Sequence, residues 1–210
     1  HLFNRISLLS EEYSLVNFEK SFFSNKKRLQ NFIKQCDIVV HLSGVNRSKN
    51  SDDLYNGNMV LTDTLIDAVD VTKSNVHIIF ASSTQESLKN PYGLSKKKCS
   101  SNLQKFSKLN DLKFTSLIIP NVFGPFCKPY YNSFISTFCH QVINEKIPKI
   151  EIDASIKLIF VDELIEIIIK SFKQTEIIKI VRLPHYKPMK VSKILDYIKI
   201  FKSSYIQNGA

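Results

Sequence analysis

The sequence predicts an α/β protein built on a parallel sheet. Two observations carry that reading. Short β-rich apolar runs alternate with longer amphipathic stretches along the chain. Two of those runs, Asp37–Ser43 (DIVVHLS) and Val76–Ser82 (VHIIFAS), are almost continuously apolar, as strands buried on both faces are. A hydrophobic fraction of 43% over 210 residues is enough for a core and excludes a disordered chain.

The elements follow in order. Tyr13–Phe18 reads as a strand. Ser24 caps a helix running to about Gln35, with Leu29, Phe32 and Ile33 on one face. Strand Asp37–Ser43 comes next, then a long helix from Ser51 to about Val71, and strand Val76–Ser82. A lysine-rich helix spans Gly93 to about Leu109, followed by strand Phe114–Ile119. Ser133–Asn144 is helical, Lys157–Phe160 a short strand and Asp162–Phe172 a helix capped by Asp162. Strand Ile177–Val181 and helix Val191–Phe201 close the pattern. Regular alternation weakens after Pro120. The expected division is therefore 1–120, carrying the sheet, and 121–210, a smaller α/β lobe interleaved with the last strands.

Charge and cysteine narrow the class. The net charge is +10, from 29 basic and 19 acidic residues, and the basic ones are mostly lysines spread along the chain. No aromatic platform, arginine stripe or nucleic-acid motif accompanies them, so the expectation is an anionic small ligand and no nucleic-acid partner. Apolar runs such as Leu117–Pro120 and Ile165–Ile169 are far shorter than the ~20 residues of a membrane helix. Cys36, Cys99, Cys127 and Cys139 form no CxxC pair, no zinc spacing and no disulfide framework. Reduced thiols in a cytoplasmic protein, with no metal site, are expected. Cys139 beside His140 reads as helix packing, because adjacent helical residues point in different directions. His77, on a buried strand, reads as a satisfied core histidine. The five glycines are scattered, and no glycine-rich phosphate loop lies within the chain.

The chemistry concentrates in one stretch. Phe80-Ala81-Ser82-Ser83-Thr84 ends a strand in a run of hydroxyls, and Tyr92-Gly93-Leu94-Ser95-Lys96 follows at a helix start. Tyr92 and Lys96, four apart, share a helix face. A phenol of pKa near ~10 is a poor acid–base group, and a neighbouring ammonium lowers that pKa by stabilising the phenolate. A strand-end hydroxyl adds a hydrogen bond to the same substrate oxygen.

These residues, with others in matching order, resemble the extended short-chain dehydrogenase/reductase (NAD-dependent epimerase/dehydratase) family. His41-Leu42-Ser43-Gly44 resembles its H-L-A-G turn along the cofactor, and Asn58-Met59-Val60 its N-V-x-G-T helix segment, with Leu61-Thr62 in place of Gly-Thr. Ser82-Ser83-Thr84 resembles the catalytic strand end, and Tyr92 with Lys96 the catalytic pair. Pro120-Asn121-Val122-Phe123-Gly124-Pro125 resembles the R-x-x-N-x-x-G-P loop, with Ile118 at its arginine position, and Phe160-Val161-Asp162-Glu163 the later V-D-D segment. Gly44-Val45-Asn46-Arg47, Phe126–Ser133 and Phe138-Cys139 are similar to the capsular polysaccharide and O-antigen UDP-2-acetamido-2,6-dideoxy-hexos-4-ulose reductases.

The resemblance implies a Rossmann-type doubly wound parallel sheet. The family's first strand and G-x-x-G-x-x-G loop are expected upstream of His1, with His1–Ile6 as the helix after that loop. The cupin domain of those reductases is absent from these 210 residues. The implied activity is NAD(P)H-dependent reduction of a 4-keto group on a UDP-linked amino sugar, in capsule or O-antigen precursor synthesis. A nucleotide-sugar epimerase or dehydratase, or a non-catalytic binding fragment, stands as the alternative. Glu19 and Lys20 sit where NADH or NADPH is chosen, and they favour opposite answers, with NADPH expected and NADH open.

Site roles are implied in the same way. Tyr92, Lys96 and Ser83 are the catalytic set, with Lys96 lowering the Tyr92 pKa. His41, Leu42, Ser43, Gly44, Arg47, Asn58, Ala81, Ser82, Pro120 and Val122 line the cofactor with Tyr92 and Lys96. Of these, His41 packs at the sheet end and Asn58 supports the Tyr92–Lys96 region. Ser83, Thr84, Asn121, Lys128, Tyr131 and Asn132 face substrate, and Lys128 pairs with diphosphate. A homodimer through helices 51–71 and 93–109 is also implied.

Overall fold

Four parallel strands form the central sheet in the order β1-β2-β3-β7: β1 (Ile38–His41), β2 (His77–Ser83), β3 (Phe114–Ile119) and β7 (Ile178–Arg182). The structure is a computed structural model and describes residues 1–48, 50–207 and 209. The central pair, β2 and β3, is buried almost throughout, whereas β1 alternates and β7 is half exposed. The run Asp37–Ser43 is expected to be buried on both faces; β1 instead alternates between half-buried Ile38 and Val40 and buried Val39 and His41, and it is β2 that meets the expectation. Register places His41 opposite Phe80 and Ser83 opposite Ile119, so the carboxyl ends of β1 and β2 lie side by side. Parallel neighbours require long crossovers, and helices supply them. Helix α3 (Ser51–Thr72) joins β1 to β2, and α4 (Pro91–Leu109) joins β2 to β3. With α2 (Lys26–Ile33) they bury Leu29, Ile33, Leu65, Val69 and Leu103 against Val39, Ile78, Phe80 and Phe114.

Helix ends are set by asparagines. Asn25, Asn50 and Asn90 accept from the backbone N–H of Arg28, Asp52 and Gly93 respectively. The expected Ser24 cap is displaced by one residue, because Lys20–Ser24 closes a 3-10 turn of its own. The expected Asp162 cap also moves. Helix α6 (Val161–Phe172) begins at Val161, so Asp162 lies in its first turn, and Glu163 accepts from the Phe160 N–H instead. The expected strand at Tyr13–Phe18 does not form. A strand exists through its ladder, and none of the described strands pairs with this segment. Residues Leu2–Ser7 form the helix α1 that the family resemblance implied.

The chain divides into two compact units, His1–Ile119 with Ile165–Leu183, and Pro120–Leu164 with Pro184–Ala210. The second unit holds β4 (Asn121–Phe123) paired parallel to β6 (Leu158–Phe160), and β5 (Ser155–Ile156) antiparallel to β8 (Met189–Lys190). Its core is Phe138 and Val142 of α5 (Phe134–Ile143) against Val191 and Leu195 of α7 (Val191–Phe201). Among the described residues no helix is long and apolar enough to cross a membrane.

Two histidines lie in the sheet of the first unit. His41 is 4% exposed, stacked on Phe80 with ring centroids 5.6 Å apart, and burial, helped by the Lys96 charge, pulls its pKa down to about 3. His77 bonds the Thr115 hydroxyl through Nε2 at 2.9 Å, while its Nδ1 has no partner among the described residues. Burial, with Lys113 nearby, lowers its pKa to about 4. Both rings fold neutral and protonate readily only when unfolded, so their contribution is present above the unfolded value of ~6.5 and is lost as pH falls towards the folded values. Urea unfolding is expected to show stability falling between pH 6.5 and 5 by up to about 1.4 kcal/mol per pH unit per histidine. A His41→Leu/His77→Leu variant flattens that slope; an already flat wild-type profile refutes the assignment.

Candidate active site

Lys96 organises the site. It projects from the second turn of α4 and is 4% exposed. Its Nζ donates to the Ala81 carbonyl at 2.9 Å and lies 4.8 Å from the centre of the Phe80 ring. A Cβ on Gly44 would come within 3.2 Å of that Nζ and 3.0 Å of Asn58 Oδ1, so the turn after β1 approaches as closely as a glycine permits. Burial pulls the ammonium pKa down to about 8.

Tyr92 occupies the first turn of the same helix and is half-buried. Its ring centre lies 5.9 Å from Lys96 Nζ, and the Ser83 hydroxyl is near enough to act on its ionisation. Burial raises the phenol pKa, and the Ser83 hydroxyl opposes the rise. The expected lowering by Lys96 is therefore not the dominant effect here. The ammonium is directed to a carbonyl, and desolvation of the phenol outweighs the help the phenolate receives.

Asn58 ties the pieces together. Its Oδ1 accepts from Val45 N–H at 2.8 Å, and its Nδ2 donates to Val45 O at 2.8 Å, Leu54 O at 3.1 Å and Ser95 Oγ at 3.0 Å. Ser95 Oγ in turn donates to the Tyr92 carbonyl at 2.8 Å. One amide thus joins the turn after β1, helix α3 and the first turns of α4. Gly93 lets α4 start where it does, because a Cβ there would fall 2.0 Å from the Gln85 carbonyl.

Of the residues read from the sequence, Tyr92, Lys96, Ser83, Asn58, Gly44 and Ala81 converge here. Ser82 is buried and its hydroxyl bonds Glu86. His41 is buried at the end of β1, whereas Leu42 and Arg47 are exposed in the following turn and Ser43 is half-buried. Thr84 is half-buried in the 3-10 turn Thr84–Ser87. Pro120, Asn121, Val122, Lys128, Tyr131 and Asn132 belong to the second unit. There Asn121 bonds the Lys157 carbonyl at 3.4 Å, and Lys128, Tyr131 and Asn132 are exposed on the loop before α5. Ile118, at the family's arginine position, is 5% exposed inside β3, as a central strand requires. Phe80 and Ser95 were not legible as site residues. An apolar strand residue and a helical serine carry no signal until their partners are in place.

A model of the NAD dependent epimerase/dehydratase family matches residues 4–181. The chain belongs to that family. It is 31% identical over 186 residues to the UDP-2-acetamido-2,6-beta-L-arabino-hexul-4-ose reductase of Pseudomonas aeruginosa, covering 86% of this chain and 49% of the reductase. The capsular polysaccharide assembling protein CapF of Staphylococcus aureus superposes with a TM-score of 0.74 at 27% identity, over 86% of this chain and 50% of CapF. UDP-glucose 4-epimerase of Thermotoga maritima shares the fold, with a TM-score of 0.80 at 14% identity over 96% and 79% of the two chains. The chain thus spans about half the length of the curated reductase it matches. Its sheet is the Rossmann-like sheet of this epimerase/dehydratase family.

Removing the Asn58 amide leaves the Val45 backbone and Ser95 short of partners. Asn58→Ala is expected to cost about 2–3 kcal/mol, a fall in melting temperature of roughly 5–10 °C by calorimetry. An unchanged melt shows that the amide does not tie these elements together.

Proposed function

We propose that this chain carries the reductase site for a UDP-linked 2-acetamido-2,6-dideoxy-4-keto sugar, with NADPH as reductant, in capsule or O-antigen precursor synthesis. The observation that carries the reading is the 31% identity to a UDP-sugar 4-ketose reductase over 86% of the chain, through a region in which Ser83, Tyr92 and Lys96 converge. The residues present suit a dinucleotide. The glycine turn at Gly44 leaves no side chain between the backbone and Lys96, whose buried ammonium suits ribose hydroxyls. Lys20, exposed beside Glu19, favours a 2′-phosphate, and the Glu19 carboxylate already accepts from the Ser21 hydroxyl at 3.1 Å.

The nicotinamide supplies hydride when bound. Tyr92 gives its phenolic proton to the 4-keto oxygen. Its raised pKa keeps it in the protonated, donating form at neutral pH. Ser83 accepts from Gln85 N–H at 3.2 Å, which leaves its O–H to donate to the same oxygen. Lys96 holds the ribose and places positive charge near the phenolate left behind. The family resemblance adds Asn121, Lys128, Tyr131 and Asn132 to the substrate contacts, with Lys128 as a point charge for the diphosphate. Pairing of two copies through α3 and α4 belongs to this proposal. Helix α3 exposes Val60 and Val71 with Asp63 and Asp67, and α4 exposes Leu94 and Leu109 with Lys97, Lys98, Lys105 and Lys108.

Tyr92→Phe is expected to abolish NADPH oxidation by the 4-keto UDP-sugar, a loss of at least about 100-fold, while NADPH affinity by fluorescence titration stays within about twofold. Retained turnover overturns the role of Tyr92. Conversion of a UDP-sugar to its 4-epimer without net NADPH consumption replaces the reductase reading by an epimerase one.

The same site predicts a pH profile. With Tyr92 raised and Lys96 near 8, the alkaline limb of kcat/KM belongs to the ammonium, and activity falls above pH about 8. Lys96→Arg keeps the charge at alkaline pH, so whatever activity it retains loses that limb. The same limb persisting in the arginine variant assigns it to another group.

A further inference from the structure

The end of β2 uses three consecutive residues in three ways. The Ala81 carbonyl holds Lys96, and the Ser83 hydroxyl, which accepts from Gln85 N–H at 3.2 Å, lies on the side of Tyr92 and acts on its ionisation. Ser82, 3% exposed, points to neither and donates its hydroxyl to Glu86 Oε2 at 2.6 Å. That length is typical of a hydroxyl donating to a carboxylate, the stronger kind of hydrogen bond. Glu86 belongs to the 3-10 turn Thr84–Ser87, a four-residue element too short to be held by its own ladder. The turn carries Gln85, whose N–H takes one lone pair of Ser83 and whose carbonyl is the backbone that α4 meets at Gly93. Asn90, the cap of α4, donates to the Gln85 side chain at 3.4 Å. The turn therefore decides where the Ser83 hydroxyl points and where the first turn of α4 sits.

We propose that Glu86 is a positioning residue: through Ser82 its carboxylate fastens the Thr84–Ser87 turn to the end of β2 and so fixes Ser83 against Tyr92. Glu86 reaches the reacting oxygen only through Ser83, and the kinetic part of the inference rests on the reductase reading above. Its geometric part does not. The two consequences of losing Glu86 have opposite signs at the phenol. Removing a negative charge eases ionisation of Tyr92, whereas moving the Ser83 hydroxyl away from the phenol hinders it.

The test places 3-fluorotyrosine at position 92 and follows its ionisation by fluorine NMR in the folded chain, alongside steady-state kinetics. Glu86→Ala is expected to raise the ionisation midpoint by about half a pH unit, as Ser83→Ala does. Glu86→Gln, which still accepts from Ser82, leaves the midpoint unchanged or slightly lower. Kinetically, Glu86→Ala lowers kcat about tenfold with KM and NADPH affinity within about twofold, and Glu86→Gln restores kcat to within about threefold. Ser82→Ala matches Glu86→Ala, and the double variant is no worse than either single one. A midpoint in Glu86→Ala at or below wild type overturns the proposal, as does a glutamine variant as impaired as the alanine one. If Glu86→Ala does not fold, Ser82→Ala decides the same question. A wild-type chain that reduces no 4-keto sugar counts against the proposed function alone, because the fluorine titration still decides the role of Glu86.

Discussion

A buried ammonium is the constraint around which this site is arranged. Lys96 is 4% exposed, and a pKa near 8 in place of 10.5 corresponds to about 3 kcal/mol against charging. Among the described residues no carboxylate lies within 4.0 Å of its Nζ, so the charge rests on the Ala81 carbonyl and the Phe80 ring. Both compensations come from β2, while the lysine comes from α4. Helix α4 is therefore tied to the carboxyl end of β2 by the need to solvate one charge. The approach of Gly44 depends in turn on β1 ending beside β2, which the His41–Phe80 register brings about. The site follows from the parallel order of the sheet and is not a property of the helix alone.

The second requirement is that α4 begin in the right place. Asn90 caps it, Pro91 sits in its first turn, where a missing N–H costs nothing, and Gly93 admits the Gln85 carbonyl. Those three residues put Tyr92 beside Ser83 before any packing of the rest of the helix is considered. Asn58 and Ser95 then lock the first turns from the other side, using the Tyr92 carbonyl and not its ring. The backbone of Tyr92 is thus held through its carbonyl, so the phenol is placed without its oxygen being used up by structural bonds.

How much of this the sequence displayed follows from where each signal originates. Strand β2 was legible because burial on both faces leaves a nearly continuous apolar run, whereas β3 carries Thr115 and Ser116 within its buried run. Tyr13–Phe18 carried a similar pattern and formed no strand, since the pattern reports burial and not a ladder partner. The two- and three-residue strands β4, β5 and β8 left no pattern, because they exist only through pairing. In the site, the spacing of Tyr92 and Lys96 was visible, and so was the hydroxyl run ending at Ser83. The direction of the Tyr92 shift was not, because spacing shows that an ammonium is near but not that burial outweighs it. Phe80, Ser95 and Glu86 act only across elements: Asn58 and Ser95 are 37 residues apart, and Lys96 meets Ala81 across 15.

His41 shows how the site keeps its charge to one. A protonated imidazole at the end of β1 would add a second cation near Lys96, and among the described residues no ion pair offsets either. Burial between Phe23 and Phe80 prevents this, and the ammonium itself adds to the push that lowers the His41 pKa to about 3. At neutral pH the ends of β1 and β2 and the start of α4 therefore carry a neutral imidazole, a neutral phenol and one ammonium whose burial lowers its pKa. Lys96 is the group that a ligand oxygen would stabilise most, since its own lost solvation is what such an oxygen replaces. The energetic shortfall that depresses the Lys96 pKa is the same quantity that favours a hydroxyl-bearing or anionic ligand. In the proposed reductase, the weak compensation that makes Lys96 costly to bury is what a ribose hydroxyl would make good.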